Sequence, residues 1–341
     1  LDVAKETSRM ALASHPTSRK AEQLRIAAGP GVEHARGNGL DTVRLRHRAL
    51  PGRDLADVDL STVLLGAELA APLFVSAMTG GTPEAEAVNR ALALAAAEHG
   101  IALVLGSGRA LLEDPELLSS YRSAARPPLL LGNLGVAQLA DEDAAPALVD
   151  LLGADGLSIH LNAIQEAVQP EGEPRFGGAI ERIAATVTRL APLPVVVKEV
   201  GFGMDGADVA ALRDAGVAAV DVAGAGGTNW ALVEGRRDPA AGVVAQAFAD
   251  WGVPTARAVI DACAAAPGLP IIASGGLRDG VDAARCLALG AVAAGFARPL
   301  LIAAQQDRAS EAVASLVLQL RIASWASGAP SSSSLGEEHL R

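Results

Sequence analysis

The sequence predicts an α/β protein, a (β/α)8 barrel with an N-terminal extension, and three observations predict it. Eight short apolar runs rich in Val, Ile and Leu recur between residues 72 and 300. Amphipathic stretches of helical length separate them. Polar residues and glycines crowd at the C-terminal end of almost every run, which is the end of a barrel strand where chemistry is done. Composition agrees: half of the 341 residues are hydrophobic but only 3% are aromatic, and small or branched residues suit a parallel sheet covered by helices.

Taken in order, residues 1–70 form the extension. Ser18–Ala28 reads as a helix carrying Arg19, Lys20, Glu22 and Arg25, and Thr42–Leu45 and Asp59–Leu65 read as short strands or decoration of the barrel bottom. The eight strands follow within residues 71–327: Pro72–Gly81, Ile101–Arg109, Pro128–Gly135, Gly156–Asn162, Pro194–Gly201, Ala218–Gly227, Leu269–Arg278 and Ala291–Leu300. Each is too short for a globular helix and apolar enough for a buried strand. Between them, Pro83–Gly100, Ala207–Gly216 and Asp279–Gly290 place apolar residues at helical spacing and stop on glycine. Strand–helix alternation repeated eight times favours a barrel over a doubly wound sheet. Asn229–Pro267 is longer than a simple crossover and reads as a loop, Glu234–Gly242, followed by a helix from about Thr255. Residues 328–341 (GAPSSSSLGEEHLR) read as a flexible, low-complexity tail.

Several classes are excluded. Ample apolar content rules out a disordered chain, and two cysteines, Cys263 and Cys286, cannot staple a protein of this size. A net charge of −11 argues against a nucleic-acid binder. No apolar run reaches the ~20 residues of a membrane helix. Residues 1–10 carry Asp2, Lys5, Glu6 and Arg9 rather than the apolar core of a signal peptide, so a cytoplasmic protein is expected.

Strand parity locates a site. In Gly156–Asn162, Ser158, His160 and Asn162 share one face, and polar side chains inside a barrel mouth imply ligand chemistry. Lys198 follows four apolar residues and is costly to bury without an anionic partner. Ser274-Gly275-Gly276 and Gly295–Arg298 end strands seven and eight before helices, where barrels hold phosphate on backbone N–H groups. Arg278 and Arg298 add charge there, and Gly226-Gly227-Thr228 offers another cradle. No Walker loop or GxGxxG follows a first strand. Arg19, Lys20 and Arg109 suggest a second anion site, against which Glu166 holds Mg2+.

Taken together, these residues resemble the type 2 isopentenyl-diphosphate isomerases, FMN-dependent (β/α)8 barrels. The most specific piece is His160-Leu161-Asn162-x-x-Gln165-Glu166-x-x-x-Pro170-Glu171-Gly172-x-x-x-Phe176. Beside it stand Arg19-Lys20, Ala77–Gly81, Val197–Gly201, Asp221–Thr228 and Ser274–Arg278, in family order over about residues 19–325. The resemblance implies FMN bound by Ala77, Met78, Thr79, Ser107, Asn133, Lys198, Thr228, Gly276, Leu277, Arg278, Ala297 and Arg298. It implies a C5 prenyl diphosphate gripped by Arg19, Lys20, Ser107 and Arg109. Gln165, His160, Asn162 and Lys198 would be the catalytic set and Glu166 the Mg2+ ligand. It also implies reduction by NADPH, a homo-oligomer (tetramer or octamer), and no nucleic-acid or membrane partner. An FMN-dependent oxidoreductase of the 2-hydroxy-acid oxidase or glutamate synthase type is the alternative, though it leaves the His160–Phe176 run unexplained. Gln23 stands where the family has His, Gly108 where it has Gln, and Ala223 where it has Ser.

Plainer readings apply elsewhere. Arg109 suits an i,i+4 pair with Glu113, Glu171 and Glu173 lie in a loop where exposure is the default, and the Glu234–Asp238 charge run reads as a solvated loop. Met78 reads as packing under the flavin, and the cysteines as small helix fillers.

Overall fold

A computed structural model describes residues 16–121 and 125–341. Eight parallel strands close a barrel in which the last pairs with the first and every other neighbour is sequential. They are β3 (Leu73–Val75), β4 (Ala102–Val104), β5 (Leu130–Gly135), β6 (Gly156–Leu161), β7 (Val195–Glu199), β8 (Ala219–Asp221), β9 (Ile271–Ala273) and β10 (Ala293–Phe296). Each falls inside one of the eight apolar runs. Outward residues pack on helices, while Phe74, Ala102, Val104, Leu131, Val196 and Ile272 fill the interior.

Helix starts follow capping chemistry. Thr82 Oγ1 accepts from Ala85 N (3.0 Å) ahead of Pro83–Glu98. Asp279 Oδ1 accepts from Asp282 N (2.8 Å) ahead of Gly280–Ala288. Gly100, Gly216 and Gly290 have positive φ just past their helices, a conformation that glycine adopts without strain.

The extension helix spans Pro16–Ala28. Of the two candidates, Thr42–Leu45 forms no strand: it follows the 3-10 turn Leu40–Thr42 and makes only an isolated bridge from Leu45 to Leu340, whereas in the second β1 (Thr62–Leu64) pairs with β2 (Ala67–Leu69) in a hairpin. Leu65 (φ 52) and Gly66 (φ 84) make its two-residue turn. Leu64 and Leu69 pack on the inward-facing side chains, so the hairpin plugs the barrel bottom and leaves the mouth as the open end.

Two sequence expectations are corrected. Glu234–Gly242 is not a loop: Trp230–Arg237 and Pro239–Ala247 are helices. Pro239 has no N–H to continue the first helix, yet it suits the first turn of the second, which Asp238 caps. Residues 328–341 are not a free tail. Ser331 bridges to Asp59 and Leu340 to Leu45, and Ser332 and Leu335 are buried, because the extension offers these residues unpaired backbone and apolar surface.

Candidate active site

Strand register builds the site. His160, Lys198 and Asp221 are cross-strand neighbours on β6, β7 and β8 and lie on the interior face at the mouth. Above them opens a cavity of about 590 Å³. Of the residues singled out from sequence, Lys20, Ala77, Met78, Thr79, Ser107, Asn133, His160, Gln165, Lys198, Thr228, Gly276, Leu277, Arg278, Ala297 and Arg298 line it. Arg19, Asn162 and Glu166 do not, although each lies one residue or one hydrogen bond from a lining residue; Arg109 does not either, and lies two residues beyond Ser107.

One side is a backbone cradle. Gly275 and Gly276 have φ of 98° and 71°. A Cβ on Gly275 would meet Gly224 O at 2.1 Å, and one on Gly227 would meet Gly276 N at 2.5 Å, so the loops after β8 and β9 pack backbone against backbone. The helix Arg298–Gln305 begins here with no side-chain cap on its first N–H groups. Free N–H groups at a helix start beside a glycine cradle fit the phosphate of FMN. The two arginines are committed elsewhere. Arg278 Nε donates to Asp282 (3.0 Å). Arg298 donates to Ala27 O and Gly29 O (both 2.9 Å) and pairs with Glu33, tying the extension to the barrel.

The floor is polar and buried. Lys198 is 6% exposed and its Nζ donates to Glu199 O. Burial, then Lys198 and Lys20, push His160 down to about 3, so its ring is neutral. His160 Nδ1 lies 3.0 Å from Asn133 Oδ1, which can only accept. The proton therefore sits on Nδ1 and Nε2 is left to accept. Glu199 Oε2 gathers the N–H groups of Val200, Gly201, Phe202 and Gly203 at 2.5–3.2 Å. Burial pushes this carboxyl up to about 7 against the pull of those donors.

The other side is cationic. Lys20 Nζ donates to Ser107 O (2.8 Å) and to the Tyr121 hydroxyl (3.0 Å), which itself donates to Ser107 O (2.7 Å). Burial, reinforced by Arg19, lowers Lys20 to about 7. Arg19 Nε is buried without a hydrogen-bond partner. Arg109 pairs with Glu113 (2.9 Å) as expected, and also with Glu173 (3.4 Å).

Gln165 is held by a residue the sequence reading misassigned. Glu234, read as part of a solvated loop, is fully buried. Its Oε1 accepts from Gln165 Nε2 (2.8 Å) and from Gln23 Nε2 (2.7 Å), and its Oε2 pairs with Arg237 (3.2 Å). Arg237 also pairs with Glu171, so that loop carboxylate is engaged rather than solvated. The only available signal was charge at helical spacing, Glu234 three residues before Arg237. Tyr121, Trp230 and Gln23 were likewise unassigned.

Asn162 Nδ2 donates to Glu166 Oε1 (2.8 Å), while Glu166 Oε2 accepts from Gln169 Nε2 (2.8 Å) and Glu173 N (2.7 Å). Among the described residues no group of three or more His, Cys, Asp or Glu converges on a metal site. Glu166 therefore fits Mg2+ only as one ligand among oxygens brought by a substrate.

A barrel with a phosphate cradle and a buried lysine floor defines a flavin-binding class, and the FMN-dependent dehydrogenase family matches residues 27–114 and 163–341. Solved structures share the fold. Mandelate oxidase with (S)-2-phenylpropionate superposes at TM-score 0.64 with 21% identity, covering 94% of this chain and 97% of that one. A flavocytochrome b2 variant with benzoylformate gives 0.62 at 18%, covering 97% and 81%. Much nearer in sequence is isopentenyl-diphosphate delta-isomerase of Xanthobacter autotrophicus, 49% identical over 91% of this chain and 93% of its own. Those of Stutzerimonas stutzeri (45%; 95% and 96%) and Methanothermobacter thermautotrophicus (42%; 84% and 82%) follow. The chain belongs to the isopentenyl-diphosphate delta-isomerases.

Proposed function

We propose that the chain interconverts isopentenyl and dimethylallyl diphosphate by a 1,3-allylic proton shift, with reduced FMN held in the barrel mouth. The observation that carries this reading is the joining of two unlike halves in one cavity. A glycine cradle above buried Lys198 suits the flavin, and Lys20, with Arg19 next to it in the chain, lines the same cavity as Gln165.

When bound, reduced FMN supplies the proton donor and acceptor for the alkene and an electron-rich face beside the developing cation. Thr79, Ser107, Asn133, Thr228 and the 276–278 and 297–298 backbones would hold it, and Lys198 would favour negative charge on it. Arg19, Lys20 and Arg109 would bind the diphosphate, and Glu166 would hold Mg2+, which would offset the diphosphate's charge. Glu234 fixes the Gln165 amide, and Gln165 orients the allylic carbons. Neutral His160 accepts a hydrogen bond and does not serve as the acid. A tertiary carbocation is captured by water, so the site must be dry. Leu24 and Ala27 of the first helix and Trp230 line the cavity and exclude solvent. NADPH as reductant, a place in isoprenoid biosynthesis, a cytoplasmic location and a tetrameric or octameric assembly belong to this reading. No helix among the described residues is long and apolar enough to cross a membrane.

The test uses purified protein reconstituted with FMN, reduced with NADPH and given Mg2+ and isopentenyl diphosphate, with products followed by NMR. Isomerisation without net NADPH consumption is expected. Stoichiometric consumption, or turnover of a 2-hydroxy acid without isomerisation, would refute the reading in favour of the oxidoreductase.

A further inference from the structure

One buried charge under the cavity has no part in the scheme above. Asp221, on β8, is 2% exposed and is the cross-strand neighbour of Lys198. Its Oδ1 accepts from Ser274 Oγ (2.7 Å) and Ala223 N (3.2 Å), while its Oδ2 is buried without a hydrogen-bond partner. Among the described residues, Lys198 and Asp221 are the only charged ones lining a gap of about 10 Å³ in the barrel interior, which they share with Ser158 and apolar side chains. That gap is about the size of one water. The two do not form a direct ion pair, since Lys198 Nζ is turned up to Glu199 O.

A buried ammonium and a buried carboxylate in one low-dielectric layer feel each other strongly. We propose that Asp221 is the counter-charge to Lys198, partly cancelling its field at the flavin and so limiting how strongly the floor favours the reduced, anionic cofactor. Burial raises the Asp221 carboxyl, and Lys198 is the largest influence pulling it back down, as expected of interacting opposite charges. The chemistry benefits from such a balance. A flavin that acts as both acid and base must not be held so firmly as an anion that it cannot take its proton back. Asp221 touches neither flavin nor substrate in this scheme and acts through Lys198. The inference rests on the FMN reading and is independent of the substrate.

The test is the midpoint potential of bound FMN in wild type and Asp221→Asn, measured by equilibration with reference dyes. Removing the anion while keeping the side chain's shape should shift relative affinity about tenfold toward reduced FMN. That is a rise of ~30 mV for a two-electron couple. An unchanged potential would mean that Asp221 is neutral and only structural. A lower one would mean that it serves to keep Lys198 protonated. Either result overturns the proposal. Should Asp221→Asn fail to fold, Asp221→Ser removes the same charge with a smaller side chain, and a rise of the same sign is expected, with no rise counting against the proposal. Flavin absorbance of the wild type reads the cofactor assignment separately, and a wild type that takes up no FMN overturns both.

Discussion

Replacing Glu234 by glutamine tests whether the Gln165 amide depends on a buried carboxylate for its orientation. Glu234 Oε1 accepts two amide donors, Gln165 Nε2 at 2.8 Å and Gln23 Nε2 at 2.7 Å. A glutamine at 234 keeps the volume but has a single acceptor oxygen and presents an NH2 on its other side, toward Arg237 Nη1, now 3.2 Å from Oε2. If the new amide keeps its oxygen on the two glutamines, its NH2 faces a guanidinium. If it flips, donors face donors on Gln165 and Gln23. Breaking one partner out of a buried ion pair costs ~3–5 kcal/mol, and because Arg237 retains Glu171 the lower end applies, ~3 kcal/mol of stability. The larger effect is on turnover. A displacement of about 1 Å in a positioning group costs on the order of 10²-fold, so kcat should fall about a hundredfold with KM little changed. Conversion of isopentenyl diphosphate by FMN-loaded, prereduced enzyme gives kcat and KM, thermal unfolding gives the stability loss, and flavin absorbance confirms loading. Wild-type kcat in a loaded, folded variant would refute the positioning role.

Gln165→Ala should abolish turnover while FMN stays bound, because the side chain lines the cavity held by Glu234 and is no part of the glycine cradle; full activity removes its assigned role. Lys20, lowered to about 7, gives the substrate affinity a pH dependence. Only its protonated form attracts the diphosphate, and bound anion raises its pKa. Affinity should therefore be full below pH 7 and fall up to tenfold per unit above it, read as rising KM, with Lys20→Arg flattening the profile. Gly275→Ala places a Cβ 2.1 Å from Gly224 O at a φ of 98°, so FMN affinity should fall by at least tenfold and the melting temperature by several degrees. Unchanged flavin binding in that variant would remove the cradle from the cofactor site.

The barrel was legible because its determinants are local. A strand covered on both faces must be apolar over several residues, helices between strands show their period, and inward polar residues at strand ends stand out against that background. His160, Lys198 and the Ser274–Arg278 run were readable for this reason. Thr82 and Asp279, as helix caps, act within their own chain neighbourhood.

Tertiary structure alone decided how charges are paired. Glu234 sits in a run of charged residues that resembles solvated surface, and only the approach of Gln23, Gln165 and Arg237 makes its burial tolerable. Gln23 is 211 residues away in sequence, and no local pattern encodes that meeting. The same holds for Arg298, whose side chain closes the extension onto the barrel, and for the C-terminal residues, whose polar composition suggests freedom until Asp59 and Leu45 supply backbone partners. Hydrophobic periodicity acts over a few residues and is written in the chain. Satisfaction of a buried charge is a property of whatever folding brings beside it, and so it becomes visible only in three dimensions.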